Sequence, residues 1–173
     1  MRKKVILASK SKRRSDILNS CGIAHLIIPS HVPEEHPDSG NVAFVVEKNA
    51  RNKVMKISEV REDIKEAMII GADTLVVLGS HVIGKPKDER EAKALLRLFS
   101  GADIDVYTGV FVLDKGNGRS AGGVEKSSIR VKEIEEGDID KYFEKLGPYD
   151  KAGGFSIEGI GSMVFDDIKG SYF

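Results

Sequence analysis

One aspartate between two apolar runs constrains this chain more than any other feature. Asp73 lies in Gly71-Ala72-Asp73-Thr74, which separates Met68-Ile69-Ile70 from Leu75-Val76-Val77-Leu78. Short apolar runs bounded by glycine are typical of buried strands. A charged carboxylate between two such runs is costly to bury unless cations or a metal ion offset its charge. The sequence therefore predicts a cationic site around Asp73.

Four basic residues on three separate segments are candidates for that charge: Arg13, Arg14, Lys53 and Lys85. The two arginines fall in the first turn of a predicted helix, where cations oppose the helix dipole. This placement is easier to understand if a polyanion binds between them, although two solvated arginines are the alternative. Lys53 falls on the apolar stripe of another predicted helix, where its ammonium either binds an anion or extends to water.

Charge and composition exclude several classes of protein. Among 173 residues, Lys+Arg and Asp+Glu both number 27, so no overall charge favours binding to a nucleic acid polymer or an acidic membrane. The single cysteine, Cys21, allows neither an internal disulfide nor a cysteine-based zinc site. No apolar run approaches membrane-spanning length. We therefore expect a cytoplasmic protein with a single domain over residues 1–173.

The order of predicted elements indicates an α/β fold with a mixed sheet. Strands are predicted over 5–8, 26–28, 68–70, 74–78, 81–83, 106–113 and 124–134, and helices over 12–20, 41–57, 88–99 and 137–146. Residues 58–67 are either a helix extension or a solvated connection. Asp88 and Glu91 predict a capping box, and Gly79-Ser80 predicts a hairpin turn. The sheet is expected to be mixed because strands and helices do not alternate strictly.

The run from Gly79 to Lys85 mimics the start of a P-loop, and we reject that interpretation. Pro86 occupies the place of the Ser/Thr that binds magnesium, and no strand-to-helix junction falls at the first glycine. Lys85 remains a candidate phosphate ligand because it follows a hairpin close in sequence to Asp73.

Together these motifs resemble those of the Maf family of nucleoside triphosphate pyrophosphatases, over Val5 to Phe173. Six stretches carry the resemblance: an S-x-S-P-R-R-like opening at 6–14, a loop glutamate at Glu34, an A-x-x-K helix at Ala50 to Lys53, Gly71 to Thr74, Gly84 to Pro86, and a late D-K-A-G-x-x-x-I-Q-G-like stretch at 150–159.

The resemblance implies hydrolysis of dTTP, UTP or a modified nucleotide between the α and β phosphates, giving a nucleoside monophosphate and pyrophosphate. It implies a divalent cation, Mg²⁺ or Mn²⁺, and often a homodimer. It also implies the family's fold, in which helices flank a strongly twisted mixed sheet and a cleft separates two lobes.

Residue roles carried over from the family are as follows. Asp73 would be the general base that activates water. Arg13, Lys53 and Lys85 would hold phosphates, supported by Ser9 and Arg14. Glu34 and Asp73 would hold the metal. Base selectivity would depend on Arg13, Thr74 and Glu158.

Three positions depart from the family pattern. Lys12 replaces the usual proline, with a local effect at the first helical turn. Glu158 replaces the glutamine of the dTTP/UTP branch, and ionised Glu only accepts hydrogen bonds where Gln also donates. Glutamate there is compatible with the 7-methyl-GTP branch, whereas Arg13 and Thr74 resemble the dTTP/UTP branch. The chain ends at Phe173, before the family's usual C-terminal segment, so we expect a truncated domain.

Two further functions stay open at this point. One is a HAM1-like inosine/xanthosine triphosphate pyrophosphatase, and the other is a non-catalytic nucleotide-binding regulator of cell division. The presence of Glu34, Lys53, Asp73 and Lys85 favours catalysis. The missing C-terminal segment mildly favours the regulator.

Overall fold

The computed structural model describes residues 3–37, 40–146, 152–155 and 159–171. Its strands are β1 (Lys4–Leu7), β2 (Leu26–Ile27), β3 (Ala67–Leu78), β4 (His81–Ile83), β5 (Asp103–Asp114), β6 (Arg119–Val131) and β7 (Phe165–Lys169). Its helices are α1 (Lys12–Ser20), α2 (Val42–Val60), α3 (Glu89–Phe99) and α4 (Glu136–Leu146). Short 3-10 turns cover Ala152–Gly154 and Gly159–Val164.

The seven strands form one sheet in the order β2-β1-β3-β5-β6-β7, with β4 paired to the end of β3. β1 runs parallel to both β2 and β3. The other pairings are antiparallel. The predicted α/β class with a mixed sheet flanked by helices is therefore confirmed.

The two apolar runs around Asp73 belong to one strand rather than two. β5 pairs with β3 without interruption from Met68 to Leu78, so Gly71-Ala72-Asp73-Thr74 continues the ladder. Side chains alternate along β3: Leu75 packs under α2, whereas Val76 packs in the core beneath α3 and α4. Asp73, two residues before Leu75, thus faces α2.

The later strands differ from prediction. β5 begins at Asp103 instead of 106, and β6 covers 119–131 instead of 124–134. The Gly-rich start of β6 looks like turn sequence, but its pairing with β5 continues as far as Arg119. β7 was not predicted, because its residues beyond Phe165 are largely exposed and show only a weak apolar pattern.

The helices match prediction closely. α1 has the predicted bounds, α2 extends to Val60, and residues 61–66 form the solvated connection. At the start of α3, the Asp88 side chain accepts a hydrogen bond from the Glu91 amide at 2.7 Å. The Glu91 carboxylate accepts one from the Lys87 amide instead of that of Asp88, so the predicted capping box is displaced by one residue. No helix in the described ranges is long and apolar enough to cross a membrane.

Candidate active site

The site lies at a gap beside β3. β1 pairs with β3 only from Ala67 to Ile70, and β4 pairs with it only from Val76 to Leu78. Among the described strands, residues 71–75 are therefore paired on the β5 side alone. At this open edge the Ala72 carbonyl accepts a hydrogen bond from Lys53 Nζ at 3.0 Å. The gap leaves room for side chains from α1, α2 and the loop after β2.

The Asp73 carboxylate is held by two donors from successive turns of α2. Lys53 Nζ donates to Oδ1 at 2.7 Å, and Asn49 Nδ2 donates to Oδ2 at 2.8 Å. The side chains of Lys53 and Asp73 are each only 6% exposed. A buried carboxylate with a cation and an amide on separate oxygens is fixed in orientation as well as charge-compensated.

Lys53 also joins Asp73 to the loop after β2. Its Nζ lies 2.7 Å from Glu34 Oε1, so one ammonium binds two carboxylates. Burial alone would raise the pKa of Glu34, but the hydrogen bond from Lys53 and the positive charges of Lys53, Lys85 and Arg14 lower that pKa below its usual range. Glu34 is therefore ionised at neutral pH.

Arg14 connects α1 to β3. Its guanidinium donates to Ser9 Oγ at 3.1 Å and to Thr74 Oγ1 at 3.2 Å. Ser9 Oγ also accepts the Ser11 amide at 3.2 Å, and Thr74 Oγ1 lies 3.2 Å from Thr108 Oγ1. Burial lowers the pKa of Arg14, while the charges of Asp73 and Glu34 act in the opposite direction. With five N–H donors, a guanidinium held by two hydroxyls keeps donors for an anion.

For the remaining predicted site residues, Arg13, Lys85 and Glu158, the structure gives less detail. The charge of Arg13 acts on Arg14, and the charge of Lys85 acts on Glu34, so both cations lie near this cluster. Glu158 and the start of the late glycine-rich motif lie outside the described residues. The structure thus brings predicted site residues into two neighbouring hydrogen-bonded groups, Ser9–Arg14–Thr74 and Glu34–Lys53–Asp73, which interact through their charges. The charges of Arg13 and Lys85 act on the same two groups.

Two glycines let α2 approach the sheet here. A Cβ on Gly109 would lie 2.4 Å from the Val46 carbonyl oxygen, and one on Gly71 would lie 2.5 Å from that of Ala50. Separations under 3.0 Å to backbone atoms force a shift of the helix. These positions must therefore lack side chains for Asn49 and Lys53 to reach Asp73.

Asn49 is a further residue of the Glu34–Lys53–Asp73 group that was not predicted from the sequence. It is 1% exposed and binds Asp73 directly. The signal was present: Asn49 and Lys53 are polar residues four apart on the otherwise apolar face of α2, which places both on one side of the helix.

The implied metal fits the donors present. Within the described residues there is no group of three or more His, Cys, Asp or Glu side chains placed to hold an ion. Glu34 and Asp73, bound to one ammonium, are a pair of hard oxygen donors. Mg²⁺ commonly uses one or two carboxylates and takes its other ligands from water and substrate phosphates. Two carboxylates beside a group of cations are consistent with that mode of Mg²⁺ binding.

A separate cavity of about 460 Å³ lies near the start of α2. Val42, Val77, Asp105 and Tyr107 contribute to its lining. It includes none of the predicted site residues, and we assign it no role in the chemistry.

Comparison with known proteins agrees with the motifs. The model of the family described as "Maf-like protein" matches residues 4–173. The dTTP/UTP pyrophosphatase of Dictyoglomus thermophilum is 36% identical over 100% of this chain and 89% of its own length. The dTTP/UTP pyrophosphatase of Syntrophus aciditrophicus is 37% identical over 98% of this chain and 81% of its own length. Among solved structures, the Ham1 protein of Staphylococcus aureus aligns with a TM-score of 0.49 at 11% identity, over 75% of this chain and 72% of that one. The family match and the curated relatives together show that this chain belongs to the Maf family.

Proposed function

We propose that this chain is a nucleoside triphosphate pyrophosphatase that hydrolyses dTTP or UTP to the nucleoside monophosphate and pyrophosphate. The observation that carries the proposal is the bridge formed by Lys53 between Asp73 and Glu34, with Arg14 beside it at the sheet gap. The substrate class is supported by the names of relatives that are 36% and 37% identical over nearly the whole chain.

Asp73 is proposed as the general base. Each carboxylate oxygen has two lone pairs, so the bonds from Lys53 and Asn49 leave acceptor capacity for a water proton. The water oxygen bonds to phosphorus, the α–β anhydride bond breaks, and the proton passes to Asp73.

The cations offset the charge of the substrate. A triphosphate brings about four negative charges, and phosphoryl transfer is accelerated chiefly by positioning and electrostatic stabilisation. We propose that Arg13, Lys53 and Lys85 contact phosphate oxygens and that Ser9 holds Arg14 in place. The hydrogen bond that the Arg14 guanidinium donates to Ser9 Oγ supports the last role.

Glu34 and Asp73 are proposed to hold Mg²⁺ or Mn²⁺. When bound, such an ion supplies Lewis-acid stabilisation of phosphate charge. Chelation of divalent cations should abolish pyrophosphate release, and added Mg²⁺ or Mn²⁺ should restore it.

A pyrophosphate-release screen tests the function. Wild-type protein with Mg²⁺ is offered dTTP, UTP, 7-methyl-GTP, inosine and xanthosine triphosphates, and the four standard ribonucleotides. Fastest release from dTTP or UTP supports the proposal, whereas binding of these nucleotides without release would make the chain a regulator. In the same screen, Glu158→Gln should change the ranking of bases if Glu158 acts in selectivity. The homodimer remains a prediction.

A further inference from the structure

The buried Asn49 amide makes three hydrogen bonds to two separate parts of the site. Its Nδ2 donates to Asp73 Oδ2 at 2.8 Å and to the Glu35 carbonyl at 2.9 Å. Its Oδ1 accepts the Glu35 amide N–H at 3.0 Å. Both N–H donors of the side chain are therefore used, which is expected of an amide that is only 1% exposed.

On the loop side, Asn49 binds both backbone groups of Glu35. Residues 28–37 contain neither helix nor strand, so their position depends on bonds of this kind. An amide that donates to and accepts from one residue fixes the direction of the backbone there. Glu34, the carboxylate that meets Lys53, is the adjacent residue. The ion pair of Lys48 with Glu35, at 2.7 Å, is half-exposed and adds little to this restraint.

On the strand side, Asn49 determines how the Asp73 carboxylate is turned. Lys53 alone would hold Oδ1 and leave the carboxylate free to rotate about its last bond. A second donor on Oδ2 removes that freedom. Because both donors come from α2, the helix sets the direction of the remaining lone pairs.

We infer that Asn49 is a positioning residue that turns Asp73 toward the attacking water and anchors the Glu34-bearing loop against α2. Its effect on catalysis rests on the proposed function, whereas its hold on the loop does not. The three hydrogen bonds of Asn49 go to the Asp73 carboxylate and the Glu35 backbone, so it acts through Asp73 and through Glu34, the neighbour of Glu35.

Two variants remove the hydrogen bonds of Asn49 to different extents. Asn49→Leu has similar size and removes all three hydrogen bonds. Asn49→Asp keeps an acceptor for the Glu35 amide but loses both N–H donors. Asn52→Asp is the matched control, since it makes the same chemical change on α2 at a residue outside this network.

The loop is tested by amide hydrogen exchange, which needs no activity. In the wild-type protein the Glu35 amide should be protected, and in Asn49→Leu its exchange should accelerate by at least about tenfold, with less change in Asn49→Asp. An unprotected Glu35 amide in the folded wild type would overturn the anchoring role, even if neither variant folds.

Catalysis is tested by separating kcat from KM on the best triphosphate. Both Asn49 variants should lower kcat by at least about tenfold while KM changes less than about threefold, and Asn52→Asp should match the wild type. An unchanged kcat in folded Asn49→Asp would overturn the positioning of Asp73. If the wild type releases no pyrophosphate from any triphosphate, the proposed function fails and the turning of Asp73 toward water fails with it. The exchange result would still decide the anchoring of the loop.

Discussion

Gly109 lies directly opposite Asp73 in the β3–β5 ladder, on the same face of the sheet. The absent side chain of Gly109 is what lets α2 come within reach of the Asp73 carboxylate, because a Cβ there would lie 2.4 Å from the Val46 carbonyl oxygen. The contacts of the Asp73 carboxylate thus depend on a residue that has no side chain.

Gly109→Ala should lower the free energy of unfolding by about 1–3 kcal/mol, because backbone atoms of α2 must move to admit the methyl group. It should also lower kcat, because the same movement draws Lys53 and Asn49 away from Asp73. Gly123→Ala is the control, since no heavy atom lies within 4 Å of a Cβ at that position. Urea unfolding of the two variants provides the comparison, and equal midpoints would contradict close packing at Gly109.

Lys53→Met should destabilise the protein by about 3–5 kcal/mol, because it leaves a buried carboxylate without its cation. Both side chains of the Lys53–Asp73 pair are 6% exposed, so solvent screens them little. In the double variant Lys53→Met/Asp73→Asn the loss should be smaller than the sum of the single losses, while activity stays absent. Lys56→Met, at an exposed position of the same helix, is the control. Additive losses in urea unfolding would show that the two charges do not interact.

Protonation of the Glu34 carboxylate should contribute to the fall of the unfolding free energy in acid. Its pKa is lowered from the usual 4.5 in the folded state, so its contribution is fully present above that value and is lost as pH falls through the folded pKa. Glu34→Gln should therefore reduce the loss of unfolding free energy below about pH 4.5. The exposed Glu59 provides the control variant Glu59→Gln. Identical pH profiles for wild type and Glu34→Gln would remove Glu34 from the charge network.

Arg14→Lys should weaken substrate binding. A lysine ammonium has three N–H donors on one atom, so two bonds to hydroxyls leave only one for an anion. The planar guanidinium of Arg14 bonds Ser9 and Thr74 and retains further donors in a fixed geometry. We expect KM for the triphosphate to rise by about tenfold or more. Steady-state kinetics of this variant beside Arg90→Lys, at an exposed position of α3, give the measurement. An unchanged KM would place the phosphates elsewhere.

Much of the fold could be predicted because capping residues and glycines mark the ends of its helices. α1 is followed by Cys21 and Gly22, the latter with φ 69°, and α3 begins at the Asp88 cap. β3 was divided in prediction because glycine and aspartate are poor strand residues, yet they are tolerated where a ladder and a close helix surround them. The start of β6 was missed for the same reason, since tertiary pairing overrides its glycine-rich sequence.

The site was predictable to the extent that its residues stand in motifs. Asp73, Lys53 and Arg14 come together as charge compensation requires. Asn49 was missed because a buried amide on an apolar helix face has no motif, and two of its three hydrogen bonds go to backbone atoms of a loop whose path no local pattern predicts. Gly109 was missed because its importance depends on its pairing with Asp73 in the β3–β5 ladder, which the local sequence does not show.

The role of Asp73 is tested most directly by ³¹P NMR of the reaction products with dTTP and Mg²⁺, with wild type and Asp73→Asn compared at a temperature at which both are folded. Wild type should yield dTMP and pyrophosphate, and Asp73→Asn should yield neither. Formation of dTDP and orthophosphate, or undiminished turnover by Asp73→Asn, would contradict this prediction.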